Sequence, residues 1–109
     1  MTKLRLAVVG VGAHESSRAR GYIDTILKLS DRYDLCAICD RNDTALQDVC
    51  DQFSISSRYD NFVRMLEQEK PDVVFILVPT DGQTAHALVA VNHGCHIITE
   101  IPYALTLPM

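Results

Sequence analysis

Leu4-Arg5-Leu6-Ala7-Val8-Val9-Gly10-Val11-Gly12 is the stretch that decides the fold. Its apolar run reads as a buried strand, Leu4–Val9, that breaks at once into Gly-x-Gly. A backbone uses this device to come close to something flat or charged. Gly10 allows the tight turn, and Gly12 removes a side chain so that a pyrophosphate can sit against the main chain. A helix opening just after such a turn aims its unpaired N–H groups at the anion.

Outward from this turn, apolar runs alternate with amphipathic segments. Residues 17–29 read as a helix, with Ala19, Tyr22, Ile23, Ile26 and Leu27 at helical spacing. Leu35–Cys39 is a second strand, Asp40–Asp43 a turn, and Thr44–Phe53 a second helix burying Leu46, Val49, Cys50 and Phe53. A short strand near Ser57–Tyr59 precedes a third helix, Asn61–Glu69, with Phe62, Met65 and Leu66 inward. Val73–Val78 is continuous and rich in β-branched residues, as a strand covered on both faces requires. Pro79–Gly82 reads as a turn and Gln83–Asn92 as a fourth helix. Gly94 then stands at its C′ position, and His96–Glu100 is a fifth strand. This alternation predicts right-handed crossovers. The expected fold is α/β: a Rossmann-like, doubly wound parallel sheet of order 3-2-1-4-5, with helices on both faces. The turns at Gly10, Asp40, Pro79 and Glu100 all fall at the carboxyl edge of the strands, where such sheets bind ligands.

The chain has 109 residues and a net charge of −4; 48% of its residues are hydrophobic and 22% charged. That composition suits one soluble domain, residues 1–109, burying roughly 65% of its unfolded surface. Lys and Arg occur as scattered singles, which excludes a basic stripe for nucleic acid. No run approaches the ~18 apolar residues of a membrane span. The apolar start is too short, and too interrupted by glycine, for a secretory leader. Cytoplasmic location is therefore expected, with Cys36, Cys39, Cys50 and Cys95 as buried, reduced thiols. Cys36 and Cys39 have redox or metal spacing, but three residues apart on a strand they are expected on opposite faces. His14-Glu15 lacks a second histidine at position 18, and a helix end and strand start splay His93, Cys95 and His96, so no metal site is expected.

Asp40 ends the second strand, where an acid accepts hydrogen bonds from a ribose hydroxyl. It lies 28 residues beyond Gly12, against the usual ~20. Arg41 can stack on adenine or meet a 2′-phosphate, so NAD and NADP both remain open. The alternative is that Asp40 caps a turn and Arg41 is solvated. Glu15 occupies the place where a third small residue is usual. If Ala13–Ser16 is an insertion, Ala19 becomes that residue and allows close helix–strand contact. The inserted loop then contacts ligand or forms a solvated bulge.

The end of the chain adds Val73–Pro79, His86, and Gly94-Cys95-His96-Ile97-Ile98-Thr99-Glu100-Ile101-Pro102-Tyr103-Ala104-Leu105-Thr106. Together with Val8–Gly12 and Asp40, these motifs resemble the nucleotide-binding domain of the Gfo/Idh/MocA family of NAD(P)-dependent oxidoreductases, from Leu4 to the end. The resemblance implies that Gly10, Gly12 and Ala19 line the pyrophosphate and Asp40 the adenosine ribose. Pro79 and Thr80 would border the nicotinamide half. His86 matches a histidine of the family's fourth helix. Glu100 and Pro102 match the outer residues of its Glu-Lys-Pro motif, Glu100 near the nicotinamide ribose.

Two departures shape the expected function. The motif lysine is replaced by Ile101, which neither donates nor accepts a proton. The chain ends at Met109, before the C-terminal substrate domain that the resemblance implies. The reading is therefore the cofactor domain of an oxidoreductase acting on a hydroxyl-bearing sugar or cyclitol, inactive as this fragment and with no catalytic residue of its own. It is expected to self-associate through the tail from Tyr103. The alternatives are a non-catalytic dinucleotide-binding or regulatory module, which Ile101 favours, and a flavodoxin-like or methyltransferase-like domain, which leaves Glu100-x-Pro102 unexplained.

Overall fold

A computed structural model describes residues 3–12, 18–78 and 80–99, with Thr80 and Asp81 as backbone alone. Nine elements follow in order: β1 (Leu4–Val9), α1 (Ala19–Lys28), β2 (Tyr33–Cys39), α2 (Asp43–Phe53), β3 (Arg58–Tyr59), α3 (Phe62–Glu69), β4 (Val73–Ile76), α4 (Thr80–Asn92) and β5 (His96–Thr99). The strands form one sheet of order β3-β2-β1-β4-β5, and every neighbouring pair is parallel. The doubly wound order expected from the alternation is the one observed.

Local chemistry sets most helix limits. Asn42 caps α2 by accepting from Ala45 N at 3.0 Å, and Asn61 caps α3 by accepting from Arg64 N at 2.9 Å. Each satisfies a donor that the first helical turn leaves unpaired. Ser54 and Lys70, both left-handed, end the same two helices.

The sheet separates two apolar layers. On one face Leu6, Val8 and Ile38 pack against Ile23 and Ile26 of α1 and Leu46 and Val49 of α2. On the other Ala7, Val9, Val74 and Ile76 pack against Met65 and Leu66 of α3 and Ala87 and Ala90 of α4. β1 therefore alternates between two buried faces, which is why its sequence is apolar at almost every position.

Several boundaries differ from the sequence reading. β2 starts two residues earlier, at Tyr33. β4 stops at Ile76, although Leu77 N still donates to Val9 O at 2.8 Å. α4 starts at Thr80, so residues 80–82 are its first turn and not a loop. Leu27 is exposed on the solvent side of α1, and Phe53 and Phe62 are half-buried at the rims of their layers. The start of the first helix before residue 18 lies outside the described residues, as does Glu100 at the end of the fifth strand.

β2 also corrects the expectation for the cysteines. Leu6 pairs with Leu35 but Ala7 pairs with Ala37, so Cys36 is an extra residue in the ladder. Such a bulge resets the alternation of faces. Cys36, Ala37 and Cys39 all pack with the same layer, the one holding α3 and α4. The four cysteines are free thiols, three buried and Cys36 half-buried.

Gly10 joins the sheet to the turn. Its φ is +90°, and a Cβ there would lie 2.6 Å from Val78 N and 2.8 Å from Leu77 C. Both are main-chain atoms that cannot rotate away. Gly10→Ala is therefore expected to lower the free energy of unfolding by about 2–5 kcal/mol, from a strained φ and an overpacked contact. Urea denaturation checks this, and a loss below about 0.5 kcal/mol would show that β4 moves to admit the methyl group.

Candidate cofactor site

The carboxyl ends of β1 and β4 lie side by side, but the chain leaves them toward opposite faces of the sheet. A cleft of about 790 Å³ opens beside this divergence, within the range of small-molecule sites. Gly10 and Gly12 form one wall, and Asp40 and Arg41 from the exit of β2 form the next. Asp60, Asn61 and Phe62 at the start of α3 face them, and Gly82 and His86 of α4 close the far side.

Asp40 is the best-anchored group in the cleft. Its Oδ2 accepts from Val11 N at 2.7 Å and Gly12 N at 3.2 Å. Its Oδ1 accepts from Asn42 N at 2.7 Å. Its own N–H donates to Tyr59 O at 3.0 Å, continuing the β2–β3 ladder. A carboxylate held by several N–H groups makes charge-assisted bonds, stronger than neutral ones. Arg41, next in sequence, is exposed at the rim.

His86 stands one turn beyond Gly82. Its Nδ1 lies 2.9 Å from Gly82 O. A carbonyl only accepts, so Nδ1 carries the proton, and in the neutral ring Nε2 is an acceptor. The Phe62 ring lies 4.9 Å from the imidazole, tilted by 56°. This contact joins α3 to α4 across the cleft and fixes the ring.

The structure thus brings together Gly10, Gly12, Asp40, Arg41 and His86, all singled out from the sequence. Ala19 is buried in the first core layer at the start of α1. Its small side chain lets the helix approach the strands, and the described wall of the cleft does not include it. Pro79, Glu100, Ile101, Pro102, the tail from Tyr103 and the Ala13–Ser16 loop lie outside the described residues, as does the side chain of Thr80. Sequence reasoning missed Asp60, Asn61 and Phe62. The signal was available, since they follow β3 at the same carboxyl edge as the other turns. It also missed Gln83, which is buried with Nε2 3.4 Å from Val78 O and with Oε1 unpartnered among the described residues. Among the described residues no group of three His, Cys, Asp or Glu side chains is placed to hold a metal ion, and no helix is long and apolar enough to cross a membrane.

The arrangement suits an extended ligand with an anionic centre and a polyhydroxyl end. A positive-φ glycine turn lacks side chains that would block an anion, and a fixed carboxylate stands one step away. Comparison with known proteins agrees. The model of an oxidoreductase family with an NAD-binding Rossmann fold matches residues 4–109. The chain belongs to the Gfo/Idh/MocA oxidoreductase family. It is 32% identical over 103 residues to a D-glucoside 3-dehydrogenase of Escherichia coli K12, covering 94% of this chain and 28% of that protein. The structure of the WlbA dehydrogenase from Bordetella pertussis, in complex with NADH and UDP-GlcNAcA, superposes with a TM-score of 0.85 at 27% identity, covering 94% of this chain and 30% of that one. The scyllo-inositol dehydrogenase from Lactobacillus casei shares the fold, with a TM-score of 0.83 at 20% identity over 96% of this chain and 30% of that one. The chain spans less than a third of the length of each of these relatives. It is a Rossmann unit of an NAD-binding family.

Two thiols of β2, Cys39 in the lining of the cleft and Cys36, hold their protons more tightly than free cysteine. Burial pushes Cys39 up to about 12, with the Asp40 and Asp60 carboxylates adding to it. Burial pushes Cys36 up to about 11, partly offset by Arg5. An unfolded chain, with thiols near 9.0, releases these protons first as pH rises. Stability from the neutral thiols is therefore complete below pH 9 and is lost between about 9 and 12. Chemical denaturation at pH 7.5 and 10.5 should show a decline that is smaller in Cys39→Ala, and an identical decline in the variant would remove Cys39 as its source.

Proposed function

We propose that the cleft holds NAD in an extended form across the carboxyl edge of the sheet. Asp40 takes the adenosine ribose, the Gly10–Gly12 turn takes the pyrophosphate with Ala19 setting the helix close behind it, and Asp60–Phe62 border the adenine side with Arg41. Pro79, Thr80, His86, Glu100 and Pro102 serve the nicotinamide half. The observation that carries this reading is the Asp40 carboxylate, held by main-chain N–H groups at the exit of β2. A fixed negative charge there repels the 2′-phosphate of NADP and accepts from a ribose hydroxyl, so NAD is the expected partner.

Bound nicotinamide supplies a carbon that accepts or returns hydride. The relatives named above include sugar and inositol dehydrogenases, which supports a hydroxyl-bearing sugar or cyclitol as the substrate of the whole protein. Ile101 cannot move the accompanying proton, so that group would come from elsewhere in a longer protein, and residues 1–109 bind cofactor without turnover. The same isoleucine supports a second reading, a non-catalytic dinucleotide-binding module. Turnover of candidate sugars by a longer protein carrying this domain separates the two readings. Reduced thiols support a cytoplasmic setting. Exposed Leu88 and Val91 on α4 and Ile98 on the edge strand β5 support self-association, and light scattering showing a monomer over a wide concentration range would refute it.

Calorimetric titration tests the cofactor reading. NAD should bind more tightly than NADP, and Asp40→Ala should weaken NAD about 10- to 100-fold, the worth of a hydrogen bond to a charged group. No heat and no saturation at millimolar NAD, with the fold intact, would overturn it.

A further inference from the structure

We infer that Asp40 builds the glycine turn before any ligand arrives, acting as a positioning residue for the phosphate cradle as well as a ligand group. The hydrogen bonds of its carboxylate point back into the protein. Oδ2 clips Val11 N and Gly12 N, the two amides of the turn that follow Gly10. Gly12 is held at φ +74°, a conformation with no helical or strand ladder of its own to support it. The Val11 side chain is fully buried in the first core layer, so its main chain is fixed on one side by packing and on the other by the carboxylate. Oδ1 accepts from Asn42 N, and the Asn42 side chain caps α2. One acid therefore ties the exit of β1 to the exit of β2 and to the start of α2.

The acceptor count gives this a consequence. A carboxylate offers about four acceptor positions, and three are filled by main-chain N–H groups. Among the described residues one remains, on Oδ1. Asp40 can take a single hydroxyl with all three bonds kept, whereas gripping two would cost it Val11, Gly12 or Asn42. Val11 N and Gly12 N are likewise committed to the carboxylate, so a pyrophosphate is received by the bare, glycine-shaped surface of the turn and not by these two donors. The clip itself needs no cofactor. Only the hydroxyl half of the inference rests on the dinucleotide reading.

Amide hydrogen exchange in the cofactor-free 109-residue chain, read residue by residue by NMR, tests the clip. Val11 and Gly12 amides should exchange about tenfold or more slowly in the wild type than in Asp40→Ala, with Asp40→Asn between them, because Asn keeps one acceptor oxygen. Core amides such as Val8 and Val74 should keep their wild-type rates in both variants. A general loss of fold would speed them as well. If Asp40→Ala fails to fold, Asp40→Asn against wild type carries the comparison. Wild-type Val11 and Gly12 exchanging at the rates of an unstructured chain, or at equal rates in wild type and variants, would overturn the inference. Titration of the same samples with NAD is a separate measurement, so failure of the dinucleotide reading leaves the outcome for the clip intact.

Discussion

The structure depends on the absence of a side chain at position 10. β1 is the central strand, paired with β4 from Leu6–Val73 to Val9–Ile76, and the two chains must part at the carboxyl edge. At Gly10 the departing main chain passes so close to Leu77 and Val78 that not even a methyl group fits. On the other side, Gly10 N donates to Cys39 O at 2.9 Å, keeping β2 in line as the sheet opens. The cleft exists because three strand exits are brought together there with nothing but backbone between them. Asp40 lies beside this turn, bonded to the amides of Val11 and Gly12.

The opposite edge of the sheet is closed by side chains instead. Arg5 and Asp72 join β1 to the start of β4 through two bonds, Arg5 N to Asp72 Oδ2 and Asp72 N to Arg5 O, each 2.8 Å. The Arg5 guanidinium reaches Glu69 Oε1 at 2.9 Å and the Glu69 main-chain carbonyl. Tyr59 donates to Glu69 Oε2 at 2.6 Å, and this bond holds its phenol proton above the ordinary range. Arg5, Glu69 and Tyr59 thus connect β1, α3 and β3. Exposed ion pairs add little stability, but this one is partly buried and shared with main chain. With one edge tied by such a network, the other can be left open for a ligand.

Much of the site was legible because strand exits leave local marks. Gly10, Gly12 and Asp40 sit where an apolar run stops, and periodicity alone locates those stops. His86 was singled out only through the family resemblance. Asp60–Phe62 were passed over because the third strand is two residues long and its exit resembles an ordinary helix cap, which Asn61 also is. Gln83 was read as the start of a helix that in fact begins at Thr80. Its burial depends on how α4 lies across β4 and β5, and no neighbour in sequence reports that.

Period and turn chemistry are properties of residues a few positions apart, so the sequence by itself determined the alternation of elements, the parallel sheet and the edge where the cleft opens. Register, packing and the direction of a carboxylate are set by residues far apart in the chain. Only the tertiary structure decided that a bulge at Cys36 places two cysteines on one face, that Leu27 turns outward, and that Gly10 is required by Val78. It alone decided that Asp40, read from the sequence as a group waiting for a ribose, is already hydrogen-bonded to the turn beside it. A carboxylate leaving water must find donors, and the nearest ones became Val11 and Gly12 only when β1 and β2 were laid side by side.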